Sequence, residues 1–372
     1  MSQLAIPFFS VHAMQATVRE EVLAATARVY DAGWFVLGPE VTQFEQAYSG
    51  FNQVAHTIGV ANGLEALTLA LRVLGIGPGD EVLVPSNTYV ATWLAVSHVG
   101  ATPVPVEPDP ATSNLDPDRL AAAITPRTRV VMPVHLYGQP CRMAEIMALA
   151  RQHGLLVIED NAQAQGAAYA GQLTGSFGAA SGTSFYPTKN LGALGDAGAI
   201  TTDDAEVARR LRSWRNYGSE HKNQHNLLGY NSRLDEVQAA ILRIKLQHLP
   251  SWTAQRCQLA AWYSHHLAGI SELRLPAVAP GAEPVWHLYV VHTAARNALQ
   301  QYLTTHGIGT LIHYPTPPHQ QPAYAHLELA AGALPIAERL AATCLSLPLW
   351  PGMTEEMVAS VAASIRQFYQ RK

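Results

Sequence analysis

The 372-residue sequence predicts an α/β protein with a mostly parallel sheet flanked by helices, and a smaller α/β unit made from its C-terminal third. Three observations carry that expectation. Strand and helix signals alternate through the first two-thirds of the chain, an order that requires crossover connections and therefore parallel pairing. Leu155 to Ile158, after Gly154, is a continuous apolar run of the kind found in strands buried on both faces. The length suits two to three packed units at about 100–200 residues each, and no fixed-period repeat, low-complexity tract or flexible linker interrupts it.

In chain order the strand candidates are Glu81–Val84, Thr102–Val106, Arg129–Val134, Leu155–Glu159, Ser181–Phe185 and Ala199–Thr201. Helical stretches lie near Gly63–Leu74, Val90–Val99, Cys141–His153 and Ala205–Arg215. Pro78-Gly79-Asp80 reads as a turn, and Pro103, Pro105, Pro108 and Pro110 belong in or beside an edge strand and its loop, where missing amide donors do no harm. A helix from Leu234 reaches about His248, and after Pro250 a second one carries Trp252, Trp262 and Tyr263. Beyond it come a strand at His287–His292, a helix at Arg296–His306, a proline-rich loop at Pro315–Pro322 and a terminal helix at Glu355–Tyr369. Residues 1–248 are expected to form the large domain and 249–372 the small one.

Composition narrows the function. A net charge of −4 without a basic stripe argues against nucleic-acid binding. No apolar run approaches the ~18 residues of a membrane span. The N-terminal stretch lacks a basic signal head, so a cytoplasmic protein is expected. Cys141, Cys257 and Cys344 are too far apart for a C-x-x-C pair, which leaves no disulfide framework or zinc knuckle, and no metal is expected. The G-x-G-x-x-G pattern is incomplete at Gly75 to Gly79, no Gly-Lys dipeptide allows a P-loop, and no G-x-S-x-G occurs. His221 and His225 have i,i+4 spacing but no H-E-x-x-H context.

The chemistry-bearing pair is Lys189 and Asp160. Lys189 lies in the glycine-bounded segment SFYPTKNLGALGDAG, Ser184 to Gly198, among Phe185, Tyr186, Pro187 and Leu191. A lysine becomes nucleophilic when such surroundings lower its pKa. Asp160 ends the strand Leu155–Glu159, at the edge where open α/β sheets place ligands. There a carboxylate can keep a pyridinium nitrogen protonated, the partner that pyridoxal phosphate requires of its protein. Asn62-Gly63-Leu64-Glu65, at the start of an apolar helix, offers free backbone amides for a phosphate.

Six ordered segments extend this reading: GWFVLGPE from Gly33, GVANGLEAL from Gly59, GDEV from Gly79, DNAQAQG from Asp160, Ser184 to Gly198, and GYNSRLDEVQAA from Gly229. With them the chain resembles the DegT/DnrJ/EryC1/StrS sugar aminotransferases, which have the type I fold of pyridoxal-phosphate enzymes. The resemblance implies that Lys189 forms the Schiff base and that Asp160 pairs with the ring nitrogen. It also implies that Tyr89 stacks on the ring, that Gln163 bonds its hydroxyl oxygen, and that Ser184 contacts the phosphate. Asn231 matches a residue reaching the phosphate of a neighbouring subunit, which implies a homodimer with shared active sites. Leu64 replaces the family's usual Thr or Ser, so backbone donation must serve there, and Gln165 stands where many members have His.

The activity so implied moves an amino group from L-glutamate, through pyridoxamine phosphate, to a nucleotide-diphosphate keto sugar. GVANGLEAL and SNTYVATWLA look most like the subgroup aminating dTDP-3-keto-6-deoxyhexoses at C3. A 4-keto sugar is the next choice, and a non-catalytic regulator keeping the fold is the rival from another class. Arg215, Lys222 and Arg233 lie in the region where the family contacts substrate, and His313-Tyr314 and His319, on the proline-rich loop, are further candidates for binding it. Each equally reads as a surface charge or a packed side chain, and Arg233 as the ion-pair partner of Asp235 or Glu236.

Overall fold

The computed structural model describes residues 6–221 and 223–370. Its centre is a seven-stranded sheet of β1 (His56–Val60), β2 (Glu81–Pro85), β3 (Thr102–Val106), β4 (Thr128–Val131), β5 (Leu156–Asp160), β6 (Ala180–Ser184) and β7 (Gly198–Thr202). The spatial order is β1-β7-β6-β5-β4-β2-β3. Pairing is parallel from β3 through β2, β4 and β5 to β6, and antiparallel on both sides of β7, so β7 alone runs against the rest. Every expected strand of the first two-thirds is present within a few residues. The strand expected to reach Val134 stops at Val131, and a single bridge from Val134 to Asp160 continues the contact. β3 holds Pro103 and Pro105 at the sheet edge, as their missing amide hydrogens require.

The helices in chain order are α1 (His12–Ala32), α2 (Pro39–Asn52), α3 (Gly63–Val73), α4 (Val90–His98), α5 (Pro117–Ala123), α6 (Met143–His153), α7 (Ala205–Trp214), α8 (Glu236–Leu267), α9 (Arg296–Thr305), α10 (Pro335–Thr343) and α11 (Glu355–Gln370). α3 is buried on nearly every side, with Ala66, Leu67, Leu69, Ala70 and Leu71 against the sheet. It can come so close because β6 has Gly182 there: a Cβ on that residue would lie 2.7 Å from Leu67 Cδ2. The outer edge of β1 is closed by polar side chains. Glu45 Oε1 accepts from Gly59 N–H at 2.8 Å, and Arg215 Nη1 donates to the Gly59 carbonyl at 2.7 Å.

Several elements differ from expectation: β1, α1, α2, α5 and α10 were not foreseen, and an expected break in α8 is absent. The two helices expected around Pro250 are one 32-residue helix, α8. The proline removes one backbone bond but does not end the helix, because Leu246, Leu249 and Trp252 on either side are buried. The boundary expected at 248/249 falls inside α8. Helix α1 was not foreseen at all; its buried Val18, Val22, Ala25 and Val29 pack against Ala240, Ile241 and Ile244 of α8.

A second apolar cluster surrounds the antiparallel pair β8 (Tyr289–His292) and β9 (Cys344–Leu347). It joins Tyr263 and Leu267 of α8 to Leu299 of α9 and Val361 of α11, and it includes Ile6 from the chain's start. No helix among the described residues is long and apolar enough to cross a membrane. Cys141, Cys257 and Cys344 are free thiols, buried or partly buried.

Pro250 is exposed and packs little, so Pro250→Ala restores a helix bond at small cost. The variant is expected to unfold in urea about 1–3 kcal/mol later than the parent. An unchanged midpoint would mean that α8 has already absorbed the proline.

Candidate active site

The carboxyl ends of β1, β2, β5 and β6 open into a cavity of about 550 Å³ lined by Gly63, Tyr89, Asp160, Ser184, Lys189 and His313, among others. This is the end of a parallel sheet at which the crossover loops leave room for a ligand. Asp160 closes β5. Its Oδ2 accepts from Thr92 Oγ1 at 2.8 Å and its Oδ1 from Ala162 N–H at 3.1 Å. Thr88 Oγ1 stands 3.0 Å from Thr92 Oγ1, and since the Thr92 proton goes to Asp160, Thr88 is the donor of that pair. Burial raises the Asp160 carboxyl above its ordinary value, against the pull of Thr92, Ala162 and Lys189.

Lys189 follows β6 in a tight turn, its N–H bonded to the Tyr186 carbonyl at 2.8 Å. Loss of solvent lowers its pKa to about 8, and the nearby Asp160 only partly offsets that. At pH 7 about a tenth of such amines are neutral, against about one in three thousand for an ordinary lysine. Desolvation therefore favours the neutral form of this amine, the form that can act as a nucleophile.

The third corner is the N-terminus of α3. Asn62 Oδ1 accepts from Glu65 N–H at 2.9 Å and the Asn62 carbonyl from Ala66 N–H at 3.0 Å. The Gly63 and Leu64 amides have no partner among the described residues and border the cavity. A side chain at Gly63 would put its Cβ 2.6 Å from Ser184 Cβ, and one at Gly198 would meet the Asn62 carbonyl carbon at 2.5 Å. Two free amides, a helix dipole and the Ser184 hydroxyl thus form a cradle for a phosphate. Cradle, carboxylate and lysine share one cavity wide enough for a pyridine ring, so the residues fit pyridoxal phosphate.

Gln163 is oriented by a residue that sequence reasoning missed. Tyr137, at φ 61°, gives its N–H to Gln163 Oε1 at 2.7 Å, which turns Gln163 Nε2 toward the Tyr314 hydroxyl at 3.0 Å. The Tyr89 and Tyr314 rings stand 5.0 Å apart in the cavity wall. His313 Nδ1 is 2.8 Å from Ser346 Oγ, and burial, with Lys189 nearby, lowers the imidazole to about 4. Gln165, the departure from the family's His, is buried, and its Nε2 donates to the Ser184 carbonyl at 2.8 Å and to Thr183 Oγ1 at 3.1 Å. It fastens the loop after β5 to the end of β6.

Other expected substrate contacts stand elsewhere. Arg215 is a buried partner of Glu45, 2.5 Å away, and serves the β1 edge. His319 is buried with Nε2 3.2 Å from Glu338 Oε1, outside the cavity. Arg233 donates to Asn216 Oδ1 at 3.1 Å and lies over the Tyr217 ring; it makes neither ion pair considered above, since Glu236 instead accepts the amides of Gly38, Glu40 and Val41. Asn231 is exposed and lines a separate hollow of about 410 Å³, which shares Asn62 and Leu64 with the main one. Lys222 lies outside the described residues. Thr92, Tyr137 and His287 were not foreseen; Thr92 falls within the SNTYVATWLA segment, whereas the other two are far in sequence from anything they touch.

Comparison with known proteins decides the lineage. Residues 16–366 match the DegT/DnrJ/EryC1/StrS aminotransferase family. The chain belongs to that family. Among curated relatives it is 50% identical to the dTDP-3-amino-3,4,6-trideoxy-alpha-D-glucose transaminase of Streptomyces venezuelae, over 98% of this chain and 97% of the relative. It is 47% identical to a UDP-N-acetyl-3-dehydro-alpha-D-glucosamine 3-aminotransferase of Acidithiobacillus ferrooxidans, over 98% of each. The crystal structure of S. venezuelae DesV in complex with a ketimine intermediate superposes with a TM-score of 0.97 at 49% identity, covering all of both chains. The chain is an aminotransferase of this family, and its cofactor is pyridoxal phosphate.

Two outcomes follow from the geometry. Arg215→Ala leaves Glu45 charged and unpaired in a buried site, and is expected to cost about 3–5 kcal/mol in urea unfolding; a raised KM at unchanged stability would restore the substrate role. Because the neutral amine attacks carbonyls and Lys189 becomes neutral above about 8, the rate of pyridoxal phosphate capture by apoprotein should climb from pH 6.5 and level off about one unit above that midpoint. A rate still climbing tenfold per pH unit near the ordinary lysine value would contradict it.

Proposed function

We propose that the protein transfers an amino group from L-glutamate to C3 of a nucleotide-linked keto-6-deoxyhexose, with a dTDP-3-keto-6-deoxyhexose as the acceptor. The observation that carries this reading is the meeting of Lys189, Asp160 and the free amides of α3 in one cavity. The choice of C3 is supported by two relatives whose names both specify position 3, although one carries dTDP and the other UDP.

When bound, pyridoxal phosphate supplies a conjugated ring that takes up the electron pair of a broken C–H bond. The Gly63 and Leu64 amides and Ser184 Oγ hold its phosphate. The Asp160 carboxylate, kept in place by Thr92 and Ala162, would hold the ring nitrogen protonated, and Tyr89 would pack on the ring face. Gln163 Nε2, aimed by Tyr137, serves the ring hydroxyl side together with Tyr314. Lys189 Nζ would be the covalent anchor for the group. As a free amine, Lys189 Nζ would be the atom that takes up and returns a proton, base and then acid at one position.

His313 and Tyr314 form the wall over which the sugar lies. The protein works as a homodimer in which Asn231 reaches the phosphate site of a neighbouring copy; Asn231 stands outside its own cavity, and Trp34, Phe35 and Leu228 offer exposed apolar surface. The large and small domains meet within α8.

Half-reactions followed by absorbance test the reading. Protein converted by L-glutamate and freed of donor is expected to recover its starting spectrum with a dTDP-3-keto-6-deoxyhexose. Recovery only with the 4-keto sugar would move the chemistry to C4, and no response to glutamate or any other donor would favour the regulator. Lys189→Ala should lose on the order of 10²-fold or more in turnover and still bind pyridoxamine phosphate. Asp160→Ala should slow both half-reactions; equal rates in the two proteins would remove its assigned part.

A further inference from the structure

Asn190 follows Lys189 and is only 2% exposed. Its Nδ2 donates to the Val285 carbonyl at 3.1 Å, and its Oδ1 lies 3.1 Å from His287 Nδ1. The first bond identifies which end of the amide is nitrogen, so Oδ1 can only accept. His287 therefore carries its proton on Nδ1, and Nε2 keeps a lone pair. His287 is itself part of the cavity wall. The segment that bears it is fixed from behind, because buried Arg256 of α8 donates to the carbonyls of Trp286, His287 and Leu349 at 3.3, 3.4 and 3.3 Å. The loop carrying the lysine is thereby tied across the cavity to the segment before β8.

We propose that Asn190 is a positioning residue: its side chain clamps the Lys189 loop to residues 285–287 and holds His287 as a neutral hydrogen-bond acceptor in the wall of the lysine cavity. The inference rests on Lys189 being the anchor for pyridoxal phosphate, as proposed above. Its physical content is that an amine whose pKa is lowered by partial loss of solvent must be held in place, since a loop free to move outward would rehydrate it. The groups facing Lys189 agree with this. Asp160 approaches from β5 and Asp196 from the lysine's own loop, while His287 and His313 come from the C-terminal third. Burial, then the charges of Lys189, Arg256 and His313, keep the His287 imidazole well below its ordinary pKa, so it adds no second positive charge beside the amine.

The test measures capture of pyridoxal phosphate by full-length apoprotein as a function of pH, with borohydride trapping and peptide mass to confirm the site, and thermal unfolding in parallel. For the parent, the midpoint is expected near 8. Asn190→Ala should raise it by about one pH unit and slow capture at pH 7 about tenfold. His287→Ala should do the same, and the double variant no more than either. His287→Asn keeps a donor for Asn190 Oδ1 and should bring the midpoint back toward the parent's. An unchanged midpoint in Asn190→Ala, additive effects in the double variant, or a His287→Asn protein no better than His287→Ala would overturn the proposal. Should Asn190→Ala not fold, the two His287 variants decide it alone. Trapping at another lysine in the parent would sink the anchor assignment, and this inference with it.

Discussion

The site depends on a close approach of backbone to backbone. The turn from β1 into α3 lies against the end of β6 and the start of β7 so tightly that Gly63 and Gly198 have no room for a Cβ. That contact brings the unpartnered amides of α3 beside Ser184, five residues before Lys189. Any side chain there would push the helix away, and the cradle would lose either its amides or its hydroxyl. Gly182, facing Leu67 one turn further along α3, extends the same constraint. The reversed direction of β7 makes the arrangement possible, since it brings the first residue of that strand to the edge where its neighbours end.

Electrostatics in the cavity follow from burial more than from charge pairing. Asp160 is raised and Lys189 lowered, both chiefly by loss of solvent, and each is partly pulled back by the other. A buried carboxyl raised by loss of solvent would be drawn back to its ionised form by a cationic ring nitrogen, and only that ionised form can keep the nitrogen protonated. An amine that loses its proton more readily suits covalent attachment and proton transfer. One step back from Asp160, Glu159 is fully buried and is held by the amides of Gly175, Phe177 and Gly178 and by His135 Nε2 at 3.0 Å. His135 Nδ1 accepts from Cys141 N–H at 3.1 Å, so the imidazole is the donor to that carboxylate. Two adjacent carboxylates at one strand end thus serve opposite faces: Glu159 organises the loop behind the sheet, and Asp160 faces the cavity.

Much of this was legible beforehand. Strands buried on both faces leave continuous apolar runs, and Gly, Pro and Asn mark the turns between them, so six of the seven strands of the large sheet could be read to within a few residues, while β1 was missed. Lys189, Asp160 and the Asn62-Gly63 turn were visible because their chemistry requires those residue types beside those elements. Helix α1 was not, since its buried stripe is diluted by alanines and polar residues, and Pro250 was misread because local propensity favours a break that packing on both sides overrides. The substrate contacts were the weakest reading. Arg215 and Lys222 share a cationic side chain and a stretch of sequence, and nothing local indicates that Arg215 turns inward to Glu45 and the edge of β1.

By itself, the sequence determined the α/β class, the family and the lysine–aspartate pair, because each is written in contiguous residues whose spacing and type are constrained by local geometry. Only the tertiary structure decided which polar groups were taken and which were left free. Tyr137 aims Gln163, Asn190 binds His287, Arg215 is consumed at a strand edge, and the first two amides of α3 remain open. Those assignments join residues up to 170 positions apart, and a hydrogen bond between distant segments leaves no periodic trace along the chain.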